Sequence, residues 1–222
     1  MADSKMTINL KQTKKITKNL IDLTNAIINH TTYEEPTACT FLSYILTSGT
    51  QFINTTITPD STTDIEVVFK NTDANENPQY ERLFGQVDAA GNARYQVEWT
   101  SATQVAVGIA GNTTKVTVDA RNDFKTFKMT GTGVVTLNGS QLANLARSET
   151  NGYYIWLGRG YDRYSSIYFK YCKIWKNGAL VRDLVPCRKD SDGVVCMYDK
   201  VSKSYFLNAG TGTFIAGEEI EW

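Results

Sequence analysis

Chemistry at a protein site starts from a nucleophile beside a base, a pair of facing carboxylates, or a cluster of metal ligands. The one histidine, His30, lies near the N-terminus, far in sequence from any run that forms a pocket. A Ser/His or Cys/His pair therefore has no base. Cys39, Cys172, Cys187 and Cys196 are scattered, and neither Cys-x-x-Cys nor His-x-x-x-His occurs, so no metal-ligand spacing is present. Asp64-Ile65-Glu66 puts two acids on one strand face, opposite Ile65, Val67 and Phe69. That alternation describes a solvated strand face better than the acid pair of a glycoside hydrolase. Residues 73–77, Asp-Ala-Asn-Glu-Asn, carry oxygen donors without the ligand order of a calcium loop. Gly210-Thr211-Gly212 is followed by a strand pattern and so lacks the helix N-terminus that would hold phosphate. The expectation is no catalytic residue, no metal and no cofactor.

One segment has binding chemistry. Residues 153–164 read Tyr-Tyr-Ile-Trp-Leu-Gly-Arg-Gly-Tyr-Asp-Arg-Tyr. Ile155 and Leu157 share one face of a strand, Tyr154 and Trp156 the other, and a loop between glycines follows. Aromatic rings stack on the apolar faces of sugars and anchor protein partners, while Arg and Asp fork onto hydroxyls. The candidate ligand-binding residues are Tyr154, Arg159, Tyr161, Asp162, Arg163 and Tyr164. The alternative is that the tyrosines pack on neighbouring strands and Asp162 pairs with an arginine.

The elements that position these residues show in the hydrophobic period. Over residues 13–30, Ile16, Leu20, Leu23 and Ile27 step by four, three and four, which predicts an amphipathic helix. A helix this short is marginal alone, so its stripe needs a partner. An identical helix or a larger assembly is the favoured one, with the chain's own sandwich as the alternative. Residues 31–37 are polar and hold Pro36, which marks a linker. Beyond it the period becomes two. Candidate strands are 41–46, 51–55, 64–70, 82–87, 93–99, 104–109, 115–120, 124–130, 134–137, 153–157, 167–175, 180–185, 194–198, 205–207 and 212–215. Ala90-Gly91-Asn92, Gly111-Asn112, Asn138-Gly139, Asn177-Gly178 and Asp192-Gly193 supply turn chemistry between them. Residues 141–147 read as two turns of helix. The pattern predicts an all-β sandwich of two antiparallel sheets over 38–222, preceded by a helical arm over 1–37.

Charge and cysteine content bound the setting. The 23 basic and 23 acidic residues balance, so nothing global points to nucleic acid or an anionic membrane. Lysines crowd the first eighteen residues, either as a solvated arm or as a docking segment for an acidic surface. A two-residue turn at Asn177-Gly178 places Lys176 opposite Ala179 and Cys172 opposite Asp183, away from Cys187. With no signal peptide in view, all four cysteines are expected as free, buried thiols in a reducing compartment. No apolar run approaches a membrane span.

Two stretches resemble a known family. Residues 41–55, Phe-Leu-Ser-Tyr-Ile-Leu-Thr-Ser-Gly-Thr-Gln-Phe-Ile-Asn-Thr, are similar to the opening of concanavalin A-like (laminin-G-like) jelly-roll domains of phages and prophages. Three runs in the C-terminal third, 173–187, 193–199 and 206–214, resemble the same domains more closely. The resemblance spans about 180 residues and is specific for fold, not activity. It implies a concanavalin A-like jelly roll in a phage fibre or a capsid or tail decoration subunit, a virion protein assembled in the bacterial cytoplasm. Related glucanases carry a Glu-x-Asp-x-x-Glu strand, whereas this chain has Asp64-Ile65-Glu66 alone. A helical arm ahead of such a domain resembles the anchor of a trimeric fibre. The partners it implies are copies of the chain, a trimer favoured, other virion proteins and a host surface glycan. The rival readings are a carbohydrate-binding adhesion module and a glycan hydrolase.

Overall fold

The computed structural model describes residues 39–72, 80–87, 94–109, 111–146 and 152–221. The chain divides into two units at Ala38/Cys39, and the described residues belong to the second. The expected arm helix with Ile16, Leu20, Leu23 and Ile27, the 73–77 loop and the Ala90-Gly91-Asn92 turn lie outside them.

The described chain is strand throughout its regular structure. It begins β1 (Cys39–Phe41), β2 (Ile45–Leu46), β3 (Ile53–Asn54), β4 (Thr63–Asn71), β5 (Arg82–Val87), β6 (Arg94–Ser101), β7 (Gln104–Ile109) and β8 (Asn112–Thr117). There follow β9 (Lys125–Met129), β10 (Val134–Leu137), β11 (Ser140–Asn144), β12 (Trp156–Leu157), β13 (Arg159–Gly160) and β14 (Arg163–Tyr164). The last are β15 (Ile167–Lys176), β16 (Ala179–Lys189), β17 (Val195–Asp199), β18 (Ser204–Phe206) and β19 (Ile215–Ala216).

All pairings are antiparallel. The larger sheet runs β11-β10-β9-β4-β15-β16-β17-β18, with β1 on β16 and β2 joining β15 to β19. The smaller runs β3-β12-β5-β6-β7-β8, and β13 and β14 form a separate ribbon. Alternation decides what each sheet buries. Ile65, Val67 and Phe69 on β4 and Phe127 and Met129 on β9 share one core with Tyr95, Val97 and Trp99 on β6 and Val105, Val107 and Ile109 on β7. Rings from the two sheets meet directly, Phe69 with Trp99 at 6.1 Å and Phe84 with Phe127 at 6.2 Å between centroids. Each such side chain taken out of water contributes about 1.5–3 kcal/mol. The described part of the second unit is thus a β-sandwich-like pair of antiparallel sheets.

Two expectations are corrected. The helix expected over 141–147 is absent from its described residues, 141–146: 140–144 form β11, whose Ser140 faces Leu137. Asn138 and Gly139 both have positive φ, 49° and 81°, and a turn of that kind sends the chain back along the strand it left. Leu142 and Leu145, three apart, mimic a helical period but pack on the shared core from a strand and its exit. The second correction is one of register. Lys176 does face Ala179, but Val181 is an extra residue between Arg182, opposite Ile174, and Leu180, opposite Trp175. This bulge shifts the ladder, so Cys172 faces Leu184 instead of Asp183.

Candidate functional site

The site grows from a buried charge. Arg82 opens β5 on the outer face of the smaller sheet and is only 9% exposed. Its Nε donates to Gln96 Oε1 at 2.9 Å, and its guanidinium pairs with Glu98 at 2.5 Å. A buried cation is tolerated when it is paired and hydrogen-bonded in this way. The ribbon of β13 and β14 lies over Arg82, with Arg159 opposite Tyr164 and Gly160 opposite Arg163. Glycine is required at position 160, because a Cβ there would sit 2.4 Å from Arg82 Cδ. Ser165, just after the ribbon, accepts the Arg82 N–H at 2.8 Å.

Above this lies an aromatic enclosure. The Arg159 guanidinium carbon is 4.7 Å from the Phe52 ring centroid, 4.6 Å from Trp156 and 4.7 Å from Tyr164. Its Nε donates to the Tyr161 carbonyl at 3.1 Å, which closes the ribbon's turn. Phe52 is held in turn by the loop before β19: Asn208 Oδ1 accepts its N–H at 3.2 Å, and Ala209 donates to its carbonyl at 3.0 Å. A guanidinium among rings gains roughly 0.5–1 kcal/mol per face at exposed sites and more when shielded from water. Arg159 and Tyr164 are therefore half-buried parts of the scaffold that holds the loop.

The remaining candidates face solvent. Tyr161 occupies the ribbon tip with φ of 54° and is about half exposed, as are Tyr80, Tyr153 and Tyr154. Asp162 and Arg163 form an exposed ion pair at 3.5 Å, and the Arg163 guanidinium lies 5.6 Å from the Tyr80 ring. Ile155 and Leu157 are buried in the core, which turns Tyr154 and Trp156 to the outer face. The structure thus gathers Arg159 and Tyr164 around Phe52 and Trp156, and Tyr161, Asp162 and Arg163 beside Tyr80, while Tyr154 lies two residues before Trp156. Phe52, Tyr80, Arg82 and Glu98 were not singled out in the sequence; only the alternation around Phe52 and the glycine at 160 hinted at their role.

The acids of β4 are engaged otherwise. Asp64 Oδ1 accepts the Gly131 N–H at 2.8 Å, and Glu66 Oε1 accepts the Tyr171 hydroxyl at 2.9 Å. Glu66 stands between Lys173 on β15 and Lys128 on β9. Burial, then the bond to Glu66, pushes Tyr171 up to about 12. Among the described residues no group of three His, Cys, Asp or Glu side chains is placed to hold a metal ion. A concavity of about 340 Å³ opens between Asp192, Val194, Asn208 and Phe214; Asn208 there uses its amide on the backbone of Phe52, Gly210 and Gly212. Comparison with known proteins finds no family whose model matches the chain and no curated protein that matches it.

Proposed function

We propose that this chain is a non-enzymatic structural protein of a bacteriophage virion, a fibre or a capsid or tail decoration subunit, which displays a lectin-like surface. In this reading the sandwich is a concanavalin A-like jelly roll, and residues 1–37 are the arm that anchors or trimerises it beside other virion proteins. The runs that resemble such domains, early and late in the chain, are partners in space: Phe41 faces Cys187, and Ala209 and Thr211 donate to the carbonyls of Phe52 and Thr50. The observation that carries the display reading is Tyr161, a half-exposed ring at the tip of a ribbon whose base is fixed by Arg159 and three aromatic side chains. A rigid aromatic presented this way binds without a large ordering cost.

A host-surface glycan is the second reading, and the outer-face row of Tyr154, Trp156 and the Asp162–Arg163 pair supports it. Hydrolysis is disfavoured because Asp64 and Glu66 are occupied by Gly131 and Tyr171. The test is a glycan array run beside incubation with a panel of polysaccharides. Retention without new reducing ends supports the adhesion module, and silence in both supports a purely structural subunit. Released ends would refute the non-enzymatic reading.

A further inference from the structure

Three of the four thiols lie on the face of the larger sheet that points away from the shared core. Cys39, Cys187 and Cys196 form a second small cluster there with Val185 and Tyr198, flanked by Phe41, Tyr171 and Tyr205. Cys172 lies on the other face, inside the shared core. Within the cluster, β16 and β17 set Cys187 directly opposite Cys196. Their Sγ atoms are 3.5 Å apart, and neither residue has exposed surface. Directly opposed residues of an antiparallel ladder have Cα atoms about 4.5 or 5.5 Å apart, and both spacings fall within the range a disulfide spans. Cys39 faces Lys189, and Phe41 faces Cys187. Cys39 is therefore a diagonal neighbour of Cys187; its thiol is within hydrogen-bond reach of the Cys187 thiol, but diagonal pairs are set wider apart than the directly opposed Cys187 and Cys196.

We propose that Cys187 and Cys196 are an oxidisable pair that closes a cross-strand disulfide when a hydroperoxide reaches it. The two sulfurs need to approach by about 1.5 Å to bonding distance, a side-chain rotation on a ladder already in register. Their protonation is unequal. Cys196 sits below the usual thiol range, first because of its hydrogen bond with Cys187 and then because of the nearby positive charge of Lys189, against the opposing effect of burial. The same hydrogen bond, then burial, pushes Cys187 up. Cys196 is thus the thiol that attacks first. Its thiolate attacks the distal oxygen of the hydroperoxide, an S–O bond forms as the O–O bond breaks, and the remaining oxygen leaves as an alcohol, or as water from hydrogen peroxide, after taking up a proton. The Cys187 thiol then attacks the Cys196 sulfenic acid, the S–O bond breaks, and its proton leaves with the hydroxyl as water. Two thiols and one hydroperoxide yield one disulfide, one alcohol and one water.

The test treats the native full chain with one equivalent of hydrogen peroxide, then counts thiols and maps peptides by mass spectrometry. The expected result is loss of two thiols of four, a Cys187–Cys196 cystine, unmodified Cys39 and Cys172, and recovery of all four with dithiothreitol. Cys196→Ala, which starts with three thiols, should keep all three at the same dose, and Cys39→Ala should leave the cystine yield unchanged. A Cys39–Cys187 bond, over-oxidation of Cys196 without a cystine, or equal reaction of Cys172 would overturn the proposal. Native circular dichroism of wild type before mapping separates a folded-state reaction from one that follows unfolding; a bond found only after loss of the native spectrum also overturns it.

Discussion

Arg159 is the residue where charge and shape meet, since one guanidinium holds three rings and a turn carbonyl together. Arg159→Ala should therefore lower stability by about 2 kcal/mol in chemical denaturation, from lost cation–π contact and a hollowed enclosure. Tyr161→Ala should shift stability by less than about 0.5 kcal/mol while weakening binding to any glycan or protein ligand by about 1–3 kcal/mol. A large stability loss in Tyr161→Ala would place that ring in the scaffold and end its case as a contact. The sequence announced the residue types of this site but not their division of labour. Phe52, which encloses Arg159, lies far earlier in the chain, so local spacing could not show that Arg159 is spent internally. A second residue-scale test concerns Tyr171, whose folded value near 12 stands above the usual 10. Between these values the unfolded chain releases a proton that the folded one keeps, so stability falls as pH rises from 10 to 12 and is fully present below 10. Tyr171→Phe should flatten that decline in denaturation midpoints measured across the window; an equally steep decline would remove Tyr171 as a cause. Tyr205, also raised to about 12, leaves a residual slope.

Among the elements, hairpins were legible wherever the turn carries its own backbone signal. Asn177 and Gly178 have φ of 52° and 75°, the paired left-handed conformation that such a turn demands. Gly178→Ala should cost about 1 kcal/mol, read as a lower Tm, because nothing crowds a Cβ there and only the backbone conformation objects. An unchanged Tm would mean the turn relaxes at no cost. What failed to show in the sequence were features fixed by a partner strand. The bulge at Val181 depends on how β16 meets Ile174 and Trp175, and no local pattern encodes an unpaired residue. The Cys187–Cys196 apposition depends on loop length. Asp192-Gly193 signals a turn, yet the ladder closes two residues further out on one side, with Lys189 accepting from Gly193 and donating to Val194. A two-residue loop would have placed Tyr198 opposite Cys187; the four-residue loop places Cys196 there.

At the scale of the whole molecule, period-two alternation was enough to announce two antiparallel sheets, because each strand with one buried face must find a second layer. It did not divide the strands between sheets, since that depends on long-range pairing such as β4 with β15. The proposed arm is tested on the full chain. Leu20→Asp with Leu23→Asp should abolish self-association in light scattering and leave the β-sheet circular dichroism intact, because a helix as short as the expected one is marginal alone and its stripe needs a partner. An unchanged mass would remove the seam. The second unit closes on itself. Its first and last stretches run side by side: Ser43 donates to Glu218, Gly217 to Tyr44 and Ile220 to Phe41, with Leu42 bridged to Glu219. Force applied at both ends of this unit opens those bonds one after another, like a zip, instead of loading them together. The unit gives way at its seam under modest tension while the shared core stays shut, and the same closeness lets it be spliced as a cassette into a loop of another protein with little displacement of its host.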